Sequence, residues 1–316
     1  MGRGVFPLLA KLSHECVSNC RYDNVGDGRV MECRATVAIR EAEQIIDHYV
    51  SPMEPTAKRR EALSVGWYFW CSCARCLDKT ELGTHLSSLK CSGLSQRLGA
   101  YTGAGPGGAG SGECGGLVMA RDPEAEDTEW GCEECGASYS SSLVTGLVME
   151  VAEMLEMTGQ GDIGGLEFLL TMYEGCLHPR HSVLLTIKRH LIYIYGRAAE
   201  ASQPEHLQRK IEYCRQILEA CAVVMPGMPR ASYILRPTPR ICRTISGLTK
   251  ERGLTLYELV VATIALGEKQ PEELVDSLRD AAACLQWERS GTFEYRIKNK
   301  VQEMLQYLDV DLSIKG

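Results

Sequence analysis

The chain has 316 residues and a mass of 34.9 kDa, enough for two or three small domains. Hydrophobic residues at 45% and charged residues at 24% exclude a chain disordered as a whole, and no apolar run reaches the ~20 residues of a membrane helix. Lys and Arg number 34 against 41 Asp and Glu; the net charge of −7 argues against a phosphate-backbone binder, so no direct nucleic-acid or membrane partner is expected.

The first residues, Met1-Gly-Arg-Gly-Val-Phe-Pro7, do not show the apolar core of a secretory signal, and the many thiols set the expectation of an intracellular, reducing location. Residues 1–50 read as strand-rich. The turn-forming Asn24-Val-Gly-Asp-Gly28 precedes Arg29 to Ile39, a stretch of β-branched residues with rough alternation. Pro52 and Pro55 bound a loop, after which Thr56 to Leu63 reads as a short helix with Thr56 as its N-cap. Arg59-Arg60 reads as a small basic spot on the solvated face of that helix.

Fifteen cysteines are the unusual number, and ten of them lie in the first 135 residues. Cys71-x-Cys73-x2-Cys76 sets three thiolates on one turn, and a closed structural zinc site wants four ligands. From the residues alone the fourth is open between Cys16, Cys20 and Cys33. A second set is Cys91, Cys114, Cys132 and Cys135, with Cys114-Gly-Gly and Trp130-Gly-Cys-Glu-Glu-Cys-Gly136 as knuckle-like turns. Twenty-two residues separate Cys91 from Cys114, and closing that loop costs about 2 kcal/mol more than a tight pair. Zinc binding of ~10–16 kcal/mol absorbs it. Residues 103–116 hold eight glycines and Pro106, so a flexible insertion is expected over about 100–116. The remaining cysteines, Cys176, Cys214, Cys221, Cys242 and Cys284, sit singly in apolar sequence and read as small buried hydrophobes.

From Ser141 the texture turns helical. Leu143, Leu147, Val148, Val151, Met154 and Leu155 share one face, and further helices are expected near 163–177, 181–200, 204–224, 238–252, 254–267, 271–288 and 295–308. Breakers such as His178-Pro179, Gln203-Pro204, Met225-Pro-Gly-Met-Pro229 and Gln270-Pro271 separate them. Helix lengths suggest a tetratricopeptide-like array, or equally an irregular bundle.

Two stretches carry a resemblance. Ser13-His-Glu-Cys-Val-Ser-Asn19 is similar to the Asn-His-Ser-Cys-x-Pro-Asn segment of SET-domain lysine methyltransferases, and Val37 to Tyr49 resembles that family's Arg-x-Ile-x-x-Gly-Glu-Glu-Ile-x-x-x-Tyr. Gly4-Val-Phe-Pro7 before them, and Arg59-Arg-Glu-x-Leu63 and Phe69-x-Cys-x-Cys-x-x-Cys76 after them, continue the order. With a post-SET Cys cluster, a further knuckle and a helical C-terminal part, the whole resembles the SET/MYND (SMYD) subfamily, and the insert between Cys91 and Cys135 is most like its arthropod SmydA-type branch.

The resemblance implies an α+β chain. Residues 1–79 would be the C-terminal half of a SET domain with its post-SET zinc loop, residues 80–140 a zinc-ribbon-like segment, and residues 141–316 an all-α helical domain. It implies Cys16 as the fourth ligand beside Cys71, Cys73 and Cys76. Ser13, His14 and Phe69 fall where the family holds S-adenosylmethionine, and Tyr49 falls at the active-site tyrosine. The implied activity is lysine N-methylation of a histone or other protein. The sequence departs from the pattern at Ser13 (Asn in the family), Ser18 (Pro), Ala42-Glu43-Gln44 (Gly-Glu-Glu) and Trp67 (Tyr). The family's MYND finger and N-terminal SET half would precede residue 1, so a truncated copy is the expectation. The alternative is a catalytically dead, zinc-stabilised module whose helical part binds partner peptides.

Overall fold

The computed structural model describes residues 5–25, 30–102, 114–159, 161–197, 202–225, 250–267, 271–286, 288 and 290–315. Helix and sheet are both present, and the C-terminal half is helical throughout its described residues. Among the described residues, no helix is long and apolar enough to cross a membrane.

After a 3-10 turn at Leu9–Lys11 come β1 (Ser13–His14), β2 (Cys20–Val25), β3 (Val30–Ala35) and β4 (Ile46–Asp47). β2 and β3 form an antiparallel hairpin, while β1 and β4 pair in parallel, Ser13 opposite Ile46 and His14 opposite Asp47. The strand expected over Arg29 to Ile39 stops at Ala35. Helix α1 (Thr56–Trp67) begins one residue earlier than the cap reading allows. Pro55, extended at φ −69° and ψ 160°, is its N-cap, and the Thr56 hydroxyl instead accepts from Arg59 Nη2 at 2.9 Å. The helix also runs past Leu63 and ends at Tyr68, which takes the left-handed conformation (φ 61°) and returns its N–H to Ser64 O. Its inner face carries Arg59, Arg60 and Leu63. The solvated-face reading of Arg59-Arg60 is therefore overturned: the two side chains are 0% and 3% exposed. Apolar periodicity could not find a buried face made mostly of arginine.

Short helix α2 (Ala74–Leu77) leads to β5 (Leu89–Lys90) and α3 (Cys91–Thr102), then β6 (Leu117–Ala120), β7 (Trp130–Cys132) and β8 (Ser138–Tyr139). The last four strands form one sheet in the order β5-β6-β7-β8, antiparallel throughout. The insertion expected over about 100–116 falls mostly outside the described residues. Helix α3 carries the chain to Thr102, Cys114 to Gly116 belong to the sheet's turn, and residues 103–113 lie outside the described residues.

Helices α4 (Ser141–Met157), α5 (Ile163–Tyr173), α6 (Ser182–Ile194), α7 (Pro204–Val224), α8 (Lys250–Ala265), α9 (Pro271–Leu285) and α10 (Phe293–Lys315) pack each on the next where they are consecutive in the chain. The expected helix at 238–252 lies outside the described residues up to 249, and residues 250–252 are the first turn of α8. Gly253 is no break between two helices. A Cβ there would stand 2.8 Å from Cys284 Cβ and Leu285 Cγ, so glycine lets α8 and α9 approach. One apolar core joins the β5–β8 sheet to α4–α7, Val118, Tyr139, Leu147, Leu169 and Leu184 among it, so the core is continuous across residue 140. A smaller core holds α8, α9 and α10, and a third gathers Cys16, Leu63, Cys71 and Cys76. Cys176, Cys214, Cys221 and Cys284 are buried, with burial pushing each thiol pKa up; Cys242 lies outside the described residues.

Candidate functional site

The segment 12–20 is laced to the segment 44–49 by polar bonds from both. Asn19 donates from Nδ2 to Gln44 O and accepts from Ile46 N–H at Oδ1, each at 2.8 Å. Gln44 Nε2 donates to Ser13 Oγ at 2.6 Å, and Glu15 N–H donates to Asp47 O at 3.1 Å. Ser18, where a proline was the family's residue, sets its hydroxyl 2.8 Å from His48 Nδ1. Two motifs about thirty residues apart thus become one surface.

His14 and Tyr49 sit at its centre. The Tyr49 N–H donates to His14 Nδ1 at 3.0 Å, and the Tyr49 hydroxyl donates to the Leu12 carbonyl. With Nδ1 an acceptor, the neutral ring carries its proton on Nε2, which lies 3.5 Å from Cys16 Sγ. Burial drives the His14 pKa down to about 4, in keeping with a neutral ring. Both ring nitrogens are used inside the protein, which leaves the His14 main chain, rather than its side chain, for any ligand. Trp67 stacks on Tyr49 with centroids 5.4 Å apart, and Phe69 stands 5.8 Å from His14 and 6.5 Å, edge-on, from Tyr49. Phe69 is 37% exposed, and Ser13 is exposed with its hydroxyl held by Gln44. Tyr68, next to Trp67 in sequence, is 90% exposed and takes no part.

Against this aromatic cluster lie four sulfurs. Cys16, Cys71, Cys73 and Cys76 present Sγ atoms all within 4.8 Å of one another, Cys16 to Cys71 at 3.9 Å and Cys16 to Cys76 at 3.4 Å. A tetrahedral zinc with bonds of about 2.3 Å sets its sulfurs about 3.8 Å apart, so the donor set fits that ion. Cys20 and Cys33, the other two candidates, do not join this cluster; Cys20 donates to Ile46 O and its thiol is pushed up to about 12 by burial. Hydrogen bonds among the four sulfurs set their thiols apart. Cys16 is pushed up by hydrogen bonding to Cys71, Cys73 and Cys76. Cys76 is drawn down to about 6, first by hydrogen bonding from Cys16.

Three buried arginines enclose this cluster. Arg59 donates from Nε to Cys16 Sγ at 3.1 Å and from Nη2 to Cys76 Sγ at 3.4 Å. Arg60 donates to the carbonyls of Cys71 and Cys76, and Arg75 to those of Cys16 and Pro52. Glu81, 1% exposed, accepts at Oε2 from Arg59 Nη1 at 2.7 Å and Arg75 Nη2 at 3.1 Å. Burial opposes the Glu81 charge, and the two guanidiniums overcome that and hold its carboxyl below the usual range. No motif or period marks Glu81. It stands in a turn where Glu81 and Leu82 both take positive φ (53° and 61°), a geometry that only a glycine or an asparagine would have advertised.

The second set also converges. Cys91, Cys114, Cys132 and Cys135 lie within the same 4.8 Å limit, Cys91 to Cys135 at 3.5 Å and Cys114 to Cys132 at 3.7 Å, so this donor set fits zinc as well. Cys91 N–H donates to Gly116 O, and Gly136 N–H to Cys132 O, which closes the two turns. A Cβ on Gly116 would fall 2.7 Å from Cys132 Sγ. Cys135 is drawn down to about 7, chiefly by the Ala137 N–H.

No protein-family model matches the chain. Over 133 residues it is 30% identical to the SET domain-containing protein SmydA-8, isoform A, of Drosophila melanogaster, covering 42% of this chain and 25% of that protein. A SET and MYND domain-containing protein of Dictyostelium discoideum is 34% identical over 76 residues, 24% of this chain and 18% of its own length. The N-lysine methyltransferase SMYD2-B of Danio rerio is 34% identical over 80 residues, 25% of this chain and 18% of its own. In each case the match spans a quarter or less of the relative's length. The matches and the ordered motifs at Ser13–Asn19, Val37–Tyr49 and Phe69–Cys76 make the chain a relative of the SET and MYND domain-containing proteins.

Proposed function

We propose that residues 1–79 act as the C-terminal part of a SET domain in an S-adenosylmethionine-dependent protein-lysine N-methyltransferase of the nucleus or cytoplasm. Residues 80–140 serve as a zinc-ribbon-like brace and residues 141–316 as a tetratricopeptide-like helical domain. The observation that carries the reading is the ring cluster of His14, Tyr49, Trp67 and Phe69, held directly on the Cys16 centre. Cys16, Cys71, Cys73 and Cys76 hold one zinc, and Cys91, Cys114, Cys132 and Cys135 a second.

When bound, S-adenosylmethionine supplies an electrophilic sulfonium methyl group. Everything else falls to the chain. Phe69 offers a part-exposed ring for the adenine, and the reading gives the cofactor's polar groups to the main chain at Ser13 and His14. The Tyr49 hydroxyl and the Leu12 carbonyl lie side by side as acceptors that orient a substrate amine. Trp67, stacked on Tyr49, limits how that phenol turns. The partner is a protein or peptide with an accessible lysine. Calorimetric titration of the zinc-loaded chain with S-adenosylhomocysteine tests this. Saturable binding that weakens roughly ten-fold or more in Phe69→Ala supports it, since base–aromatic stacking is worth ~1–3 kcal/mol; heat no different from buffer dilution refutes it.

A second reading, a non-catalytic interaction module, has its own observation: a cavity of about 430 Å³ in the helical region, lined by Leu170, Leu184, Lys188, Tyr213 and Gln216 among others. Peptide capture unaffected by Tyr49→Phe, together with no cofactor binding, favours it.

A further inference from the structure

We propose that Arg59 is the outer-sphere counter-ion of the Cys16–Cys71–Cys73–Cys76 centre, and that it sets how fast this centre gives up its metal. The inference rests on the zinc assignment above and concerns a residue that is not a ligand.

Four thiolates around a divalent ion carry a net charge of −2, and this centre is buried at Cys16, Cys71 and Cys76. A buried charge needs a partner with hydrogen bonds to it. Arg59 is 0% exposed and points two donors at sulfur, Nε to Cys16 at 3.1 Å and Nη2 to Cys76 at 3.4 Å. The planar fork has five N–H donors in fixed directions, so one guanidinium serves two sulfurs, a carboxylate, a carbonyl and a hydroxyl at once; an ammonium, with three donors on one atom, cannot. Glu81 Oε2, Glu54 O and Thr56 Oγ1 take the remaining bonds and fix the plane of the group.

The other two arginines do a different task. Arg60 and Arg75 reach backbone carbonyls of the cluster, and among the described residues neither has a sulfur hydrogen-bond partner. Arg59 thus acts on the ligand atoms themselves. N–H···S bonds draw charge from the thiolates, stabilise the metal-bound form against protonation, and slow the first sulfur's departure. The second centre supplies an internal contrast. Cys114 Sγ has Glu134 Oε2 at 3.9 Å, and backbone N–H groups of Gly116 and Ala137 are what bear on Cys114 and Cys135.

The experiment follows zinc release from the purified, zinc-loaded full chain into a chromogenic chelator. Cys71→Ser, which lacks the first centre, assigns the two kinetic phases. In Arg59→Met the first-centre phase is expected to accelerate about 10–100-fold, the usual effect of losing an outer-shell partner, with the second-centre phase unchanged. Arg59→Lys keeps the charge without the fork and is expected to fall between Arg59→Met and the unmodified chain. Should Arg59→Met fail to fold, Arg59→Lys decides: release at the unmodified rate overturns the proposal. So does a first-centre rate in Arg59→Met within two-fold of the unmodified chain, and so does equal acceleration of both phases, which would make Arg59 a general support of the fold. An unmodified chain purified without stoichiometric zinc overturns the metal assignment itself and the proposal with it.

Discussion

Replacing Glu81 by glutamine removes one negative charge from between two buried guanidiniums with almost no change in shape. Glu81, Arg59 and Arg75 are each at most 1% exposed, and the single oxygen Oε2 serves both arginines. Breaking a buried ion pair by removing one partner costs ~3–5 kcal/mol, because the surviving charge stays buried and unpaired. Here the lower end applies, about 3 kcal/mol, since Arg59 keeps Glu54 O and two sulfurs and Arg75 keeps the Pro52 carbonyl at 2.7 Å. Urea unfolding of the zinc-loaded chain, read by tryptophan fluorescence, is the assay; Trp67 stacks on Tyr49 and Trp70 lies 5.1 Å from the Arg60 guanidinium, so both report on this region. A double-mutant cycle with Arg75→Met isolates the pair and should give a coupling above ~1 kcal/mol. A loss below ~1 kcal/mol in Glu81→Gln, with no coupling, would mean that the thiolate centre alone neutralises both arginines, and the triad argument would fail.

Acid should weaken the helical region through His181. Its Nδ1 accepts from Val183 N–H at the start of α6, and burial depresses its pKa to about 4 from 6.5, with Glu81 acting the other way and Lys58 adding slightly. Between those values the unfolded chain takes up a proton that the folded chain refuses, so stability is full above pH 6.5 and falls by about 3 kcal/mol toward pH 4. His181→Asn keeps the cap without titrating, and its stability–pH curve should be flatter over that window; an unchanged slope counts against the assignment. Gly116→Ala should lower zinc occupancy at the second centre only, because the new methyl would stand 2.7 Å from Cys132 Sγ; metal analysis at two zinc ions per chain would contradict this. Gly93→Ala gains about 1 kcal/mol of helix propensity in α3, yet its Cβ would meet Gly175 O at 2.0 Å, a backbone atom with little room to move. The expected sign is a net loss of roughly 2 kcal/mol or more by thermal denaturation, and a stabilised variant would refute it.

The two cysteine sets, the ring residues and most helices were legible because each leaves a local mark: close spacing of thiols, a motif in order, a 3.6-residue period. What was not legible has a common physical cause. Arg59, Arg60 and Arg75 look like surface residues to any hydropathy pattern, and they are buried only because carbonyls, sulfurs and Glu81 from distant segments complete them. Thr56 has the chemistry of an N-cap, but Pro55 before it already has the extended geometry the cap position needs. Gly253 has the look of a helix breaker, and tertiary packing against Cys284 and Leu285 makes it a contact point instead. Helix α3, starting at Cys91, was hidden by the glycine run that follows it.

The two cysteine centres meet the same electrostatic demand by different means, and the difference follows from where each sits. At the first, Cys16 is about 55 residues from its co-ligands and the centre lies under α1, where Cys16 and Cys76 are at most 1% exposed. Water is remote there from three of the four thiolates, Cys73 alone being partly exposed, so a side-chain cation is brought in to Cys16 and Cys76, and only a guanidinium can be shared between two sulfurs and a carboxylate in one plane. At the second, Cys135 is exposed and Cys114 partly so, and solvent carries much of the charge. Backbone N–H groups at Gly116 and Ala137 then suffice, provided the chain can approach the sulfur closely, which is what the missing side chain of Gly116 permits. Screening by salt should therefore separate the centres: raising ionic strength from 0.05 to 0.5 M should change metal affinity little at the buried centre and measurably at the exposed one, because the Debye length falls to about 4–5 Å only where electrolyte can enter. Equal salt dependence of both would show that solvent reaches the Arg59 guanidinium, contrary to its complete burial.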